Sequence, residues 1–255
     1  MRTSIAVGAL VLALFAGAAA QAEQVYLQAN FDGKTIDQPI GTGGAAVGEP
    51  VSIAEDYIDT AVRATPMPTP CLEITDQDDY YAGAVRFELL DNVEITSGTV
   101  VVAADFWIPA DLEAGIGCYL GVRESDGASH SFTNVRFLDG GSIGCDDAGG
   151  GLGTVGTYAF GELVRVIILF DLDEATYDLR VNGELLLDDQ PHDVVGAGIG
   201  ALEIGCESGA SVGNSYFVDN IHVGDEIPTP VEFETWGGVK ALFGGEGDPR
   251  DQRGQ

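Results

Sequence analysis

The chain has 255 residues, of which 45% are hydrophobic, and its 41 acidic against 11 basic side chains give a formal net charge of -30. Such a field repels nucleic acid and anionic lipid, so both are excluded as partners, while divalent cations and salty media are favoured. One sizeable core fits this length, and all-β sandwiches of this size are commonly single domains.

The first segment reads as an export signal. Arg2 supplies a positive charge, Ile5 to Ala16 is an apolar run too short to anchor in a bilayer, and Ala20-Gln21-Ala22 places small residues at a cleavage site. Residues 1–22 are therefore expected to be a signal peptide, and the protein to act outside the cell, at its surface or in the periplasm.

From there the pattern is one of short strands. Val25 to Asp32 is the first, followed by a Gly-rich loop over Gly33 to Gly48 and a Pro-rich connection over Ala64 to Pro70. Strands are expected at Cys71 to Thr75, Ala82 to Leu90, Thr99 to Ile108, Gly117 to Glu124, Phe132 to Leu138 and Ser142 to Cys145. Ser125-Asp126-Gly127 and Asp139-Gly140-Gly141 mark turns, and Asp146 to Gly156 is expected to be a flexible loop.

The clearest stretch is Glu162 to Leu187. Val164, Val166, Ile168 and Phe170 alternate along one run, and Tyr177, Leu179 and Val181 along the next. Pairing Phe170 with Tyr177 brings Ile168 to Leu179 and Val166 to Val181, so one register buries every apolar position. Asn182-Gly183 then supplies a type I′ turn into Leu185 to Leu187. Strands at Ile199 to Cys206 and Tyr216 to Val223 complete an antiparallel sandwich over residues 23–226.

The remaining residues, 227–255, read as a linker, a short amphipathic helix and a polar tail. Thr235 could N-cap the helix, whose Trp236, Val239, Leu242 and Phe243 fall on one face. A helix so short must dock on a partner or on its own sandwich.

Cys71, Cys118, Cys145 and Cys206 form an even set in an exported chain, which suggests two disulfides with the connectivity open. Strand parity turns Cys118, Cys145 and Cys206 inward with their apolar neighbours and gives Cys71 the parity of Glu73.

The segments DFWIP at Asp105 to Pro109, GVRESDG at Gly121 to Gly127, VRVIILFDLDEATYDLRVNG at Val164 to Gly183 and YFVDNIHVGD at Tyr216 to Asp225 recur in a familiar order. The chain resembles the concanavalin A-like lectin/glucanase superfamily, especially laminin-G-like domains of exported bacterial proteins. That resemblance implies a jelly-roll of two curved sheets, with glycan binding, glucan hydrolysis or adhesion as the range of activities. It also implies a structural calcium that ties the first strand to the last, for which Asn30, Asp32 and Asp219 are the matching candidates and Asp225 a further one. Loop oxygens of this kind suit Ca²⁺. Asp76, Asp78 and Asp79 form a second acidic cluster.

Catalysis has little to stand on. Glucanase relatives carry alternating carboxylates in a pattern like E-x-D-x-x-E, and no such motif occurs here. Gly140 to Gly144 fits G-x-S-x-G and Gly151 to Gly156 fits G-x-G-x-x-G, but neither is followed by the helix its chemistry needs. His130, His192 and His222 lack metal-ligand spacing.

Arg86, Arg123, Arg136, Arg165 and Arg180 occupy polar positions of predicted strands, as do Trp107 and Tyr119. These residues are candidates for one sheet face that binds an acidic or sulfated glycan, with Tyr119 meeting Arg136 in a cation–π pair. The competing reading is cross-strand Arg–carboxylate pairing on a solvated sheet. The expected function is a non-catalytic carbohydrate-binding or adhesion module. A glycoside hydrolase or lyase with an unrecognised carboxylate site, or a purely structural surface protein, is the alternative.

Overall fold

The computed structural model describes residues 23–78, 80–112, 117–125, 131–147, 150–192, 198–207 and 212–227. The expected signal peptide, the helix from Thr235, Asp79, His130 and most of the Ser125-Asp126-Gly127 turn lie outside the described residues.

The strands are β1 (Val25–Ala29), β2 (Ser52–Ile53), β3 (Ile58–Arg63), β4 (Cys71–Asp76), β5 (Gly83–Glu88), β6 (Thr99–Trp107), β7 (Cys118–Arg123) and β8 (Ser131–Leu138). They continue as β9 (Ser142–Asp147), β10 (Gly150–Thr157), β11 (Leu163–Asp171), β12 (Thr176–Val181), β13 (Glu184–Pro191), β14 (Ala201–Cys206) and β15 (Ser215–Gly224). The first sheet runs β13, β12, β11, β6, β15, β4, β3, with β1 also on β15. The second runs β10, β9, β8, β7, β14, β5, β2. Every pairing between these strands is antiparallel.

The meander of β11, β12 and β13 follows the sequence closely. Phe170 pairs with Tyr177, Ile168 with Leu179 and Val166 with Val181, and burial alternates along both strands. Asn182 and Gly183 both have positive φ, 50° and 84°, as a type I′ turn requires. β13 runs longer than expected and lies half-exposed at the edge of the first sheet, with two shifts of register against β12. The two sheets meet across one core. The ring centroids of Phe106 on β6 and Phe137 on β8 are 4.7 Å apart, and those of Phe170 on β11 and Phe132 on β8 are 6.0 Å apart. Each of these rings is at most 1% exposed, and burying one contributes roughly 1.5–3 kcal/mol.

Four elements differ from the sequence reading. Asp146 to Gly156 is not a loop: β10 pairs with β9 through two bulges, forming an edge strand rich in glycine and poor in apolar alternation. β2 and β3 were not expected, although Ile58 and Val62 carry the alternation of β3. The Gly33 to Gly48 stretch contains a short 3-10 turn at Ala45–Val47. Both glycine motifs lie in strands or turns: Ser142 opens β9, and Gly151 to Gly156 belong to β10. No helix among the described residues is long and apolar enough to cross a membrane.

All four cysteines are buried as free thiols in this structure, which holds neither of the two expected disulfides. The parity reading holds. Cys118, Cys145 and Cys206 belong to the core cluster, whereas Cys71 lies outside it. The Cys71 thiol donates to the carbonyls of Arg63 and Thr65 at the start of the Pro-rich connection.

Candidate functional site

The outward face of the second sheet is built at β8, β7 and β14. Cys118, Leu120 and Val122 point into the core, which turns Tyr119, Gly121 and Arg123 outward. On β14, the burial of Leu202, Ile204 and Cys206 turns Glu203 and Gly205 outward, with Glu207 next in phase. Register then sets Tyr119 opposite Arg136, and Gly121 opposite Asn134. The expected Tyr119–Arg136 neighbourhood is therefore met.

The arginines on this face are all paired with carboxylates. Glu203 accepts from Arg86 at 2.8 Å and from Arg123 at 2.9 Å. Arg86 also donates to the carbonyls of Glu124 and Ser125. Arg136 donates to Asp146 at 2.7 Å and lies 2.8 Å from Glu207. Arg86 also lies 3.9 Å from Glu88, so three arginines face four carboxylates, and the guanidinium of Arg136 is taken by acids rather than by the Tyr119 ring. Asn134 donates to Asp146 at 2.8 Å and to Ser131 at 3.3 Å. Its Oδ1 is buried and accepts no hydrogen bond from the described residues.

A depression of about 320 Å³ opens here, lined by Ala82, Tyr119, Arg123, Asn134, Arg136 and Glu207. Gly121 keeps its floor low: a Cβ there would sit 2.7 Å from Asn134 Oδ1. Burial, helped by the nearby Glu203, pushes the Tyr119 phenol up to about 12, so it stays neutral. Burial also raises the Glu207 carboxyl, which Arg136 opposes and Asp146 reinforces.

The remaining candidates do not join this face. Arg165 on β11 forms a two-pronged pair with Asp105 at 2.7 and 2.8 Å, and Asn220 donates to the same carboxylate. Arg180 lies on β12, between Ile167 and Leu185 of the neighbouring strands. Trp107 pairs with Phe217 across β6 and β15 and lines a separate depression of about 610 Å³ with Arg63, Pro66 and Glu73. The six predicted ligand residues therefore divide between the two sheets and do not form a single cationic groove.

The calcium candidates divide by burial. Asn30 and Asp32 are exposed and line a groove of about 690 Å³ along β1. Asp219 on β15 is 0% exposed, accepts from Thr69, and keeps an Oδ1 that finds no hydrogen-bond partner among the described residues. Burial pushes its carboxyl up to about 6; Thr69 and the Asn220 backbone oppose the shift, and the charges of Asp105 and Asp32 add to it. Asp225 ties the first strand to the last directly, since its Oδ1 accepts from Gln24 N at 2.8 Å. Asp76 is buried at the end of β4 and accepts from Asp78 N, while Asp78 accepts from Tyr80 N and Tyr81 N in the turn that follows. Among the described residues no three His, Cys, Asp or Glu side chains form a metal cluster.

Glu203 and Glu207 share one strand face but are four residues apart, about 13 Å at the strand rise. That separation exceeds the roughly 5–9.5 Å that glycosidase carboxylates use. The sequence reading missed Glu203, Glu207, Asn134 and Asp146; the parity of Ile204 and Cys206 was the signal that could have found the two glutamates.

No family model matches the chain, and no curated protein matches it. Solved structures do. A sialidase matches with a TM-score of 0.52 at 11% identity, over 88% of this chain but 21% of the sialidase. The carbohydrate esterase of the Shiga toxin-encoding bacteriophage phi24B matches at 0.53 and 11% identity, over 79% of this chain and 98% of that one. Cellulose induced protein Cip1 matches at 0.53 and 10% identity, over 78% and 97%. This chain is an antiparallel β-sandwich of a fold shared with carbohydrate-active proteins. At these identities the likeness is one of fold alone.

Proposed function

We propose that this chain is an exported carbohydrate-binding module with a concanavalin A-like jelly-roll, holding a neutral glycan across β8, β7 and β14. The observation that carries the reading is the charge compensation of Arg123 and Arg136. Their carboxylate partners fix them in place and cancel most of the attraction a polyanion would need. What is left is a pre-set array of donors and acceptors around a neutral phenol, which suits sugar hydroxyls and a stacked pyranose ring.

The test is retention of the full chain on a panel of neutral and acidic polysaccharides. Retention on a neutral polysaccharide, lowered at least ten-fold by Tyr119→Ala and by Asn134→Ala but unchanged by Arg180→Ala, is the expected result. Retention only on sulfated or uronic polymers, or retention insensitive to Tyr119→Ala, would overturn it.

Asp219, with Asn30 and Asp32, is proposed as the structural calcium site. The buried Asp219 Oδ1, which finds no hydrogen-bond partner among the described residues, supports that assignment, because an ion would supply the missing counter-charge.

A further inference from the structure

Of the four cysteines, two are brought side by side. Cys118 on β7 and Cys206 on β14 are direct cross-strand partners, both turned into the core at 1% and 3% exposure. The hydrogen-bond phase of this ladder fixes what kind of pair they make. The next pair along the same register, Glu207 with Gly117, is hydrogen-bonded through Glu207 N to Gly117 O. Hydrogen-bonded and non-hydrogen-bonded pairs alternate, so Cys118 and Cys206 occupy a non-hydrogen-bonded position. There the Cα atoms lie about 4.5 Å apart with their side chains closest, inside the range of about 4.4–6.8 Å that a disulfide bridges.

The other two thiols have no such partner. Cys145 is on β9, and β8 separates that strand from β7, a spacing of about 9.5 Å over two strand intervals. Its thiol is engaged with Thr133 and Tyr177. Cys71 sits on the other sheet, outside the shared core.

We propose that Cys118 and Cys206 form a disulfide-bonded pair when the chain folds in the presence of a small-molecule disulfide oxidant, and that Cys71 and Cys145 remain thiols. With oxidised glutathione as oxidant the step balances. One cysteine thiolate attacks the oxidant and releases one reduced glutathione; the second thiolate then displaces another, leaving the S–S bond, and the two thiol protons end on the two glutathiones. Burial pushes the Cys206 thiol up to about 12 and the Cys118 thiol well above its ordinary value. Exchange needs a thiolate, so the bond closes before the two sheets pack and is shielded from reductant afterwards. Its place is directly behind Tyr119 and Gly205, where it pins β7 to β14 beneath the depression.

The experiment is to unfold the full chain and refold it with reduced and oxidised glutathione. The monomer is then isolated, alkylated under denaturing, non-reducing conditions, digested and read by mass spectrometry. The expected product is one cross-linked peptide pair containing Cys118 and Cys206, with Cys71 and Cys145 alkylated. Alkylation at all four cysteines, or a different pairing, would overturn the proposal. Closing a loop of this length should raise the thermal midpoint of the oxidised over the reduced protein by about 10 °C. That difference should vanish in the C118A/C206A double variant. Equal midpoints for the oxidised and reduced wild type would also overturn the proposal.

Discussion

Replacing Glu203 by Gln keeps the volume of the side chain and removes the charge that two arginines share. Glu203 is 24% exposed, and its partners Arg86 and Arg123 are 13% and 15% exposed, so solvent screens the loss only in part. Each ion-paired bond falls to one between a guanidinium and a neutral amide, a difference of about 1 kcal/mol per bond. The amide also presents N–H to one guanidinium, which adds about 1 kcal/mol for a donor left without an acceptor. Discounting for the exposed fraction leaves roughly 2 kcal/mol, or about 4–8 °C in midpoint for a domain of this size. Arg86 keeps two carbonyl acceptors, so most of the cost falls on Arg123. Thermal and urea unfolding of Glu203→Gln beside the wild type at neutral pH measure it. A midpoint within about 1 °C of wild type would refute the claim that these pairs hold the face rigid, and with it the pre-set geometry on which the binding proposal rests.

Gly205→Ala should be more damaging, because its Cβ would sit 2.2 Å from the Gly83 carbonyl oxygen. Backbone cannot yield as a side-chain tip does, so a loss of about 3 kcal/mol or failure to fold is expected in denaturant titration. For Glu207, burial holds the folded carboxyl above its ordinary value of 4.5. A raised folded value means that its contribution is full below about 4.5 and lost as pH climbs through the folded value. Stability should therefore fall more steeply with pH in that window for the wild type than for Glu207→Gln, as urea titrations at successive pH values would show. If calcium occupies the Asp219 site, chelator should lower the thermal midpoint of the wild type by several degrees and leave Asp219→Ala unaffected. A midpoint indifferent to both calcium and chelator would remove the ion.

How much of this was legible can be argued from single residues. Val164 to Val181 disclosed their own strands, faces and register because period-two burial admits one pairing. β10 did not, because Gly150 to Gly156 carry few side chains whose burial could report a face. The parity of every cysteine was readable, yet the partnership of Cys118 with Cys206 was not. It depends on β14 lying next to β7, and 88 positions separate the two residues along the chain.

The same division runs through the site. Local alternation determined that Tyr119, Arg123, Arg136, Arg165 and Arg180 would leave the core, since that follows from which neighbours are apolar. Which of them share a face is a property of strand order. Tertiary structure alone put Arg123 and Arg136 on one sheet with Glu203, Glu207 and Asp146, and placed Arg165, Arg180 and Trp107 on the other. It also decided the net charge of each face, because a guanidinium acts as a cationic site or as a neutralised strut according to the carboxylate that non-local pairing sets beside it.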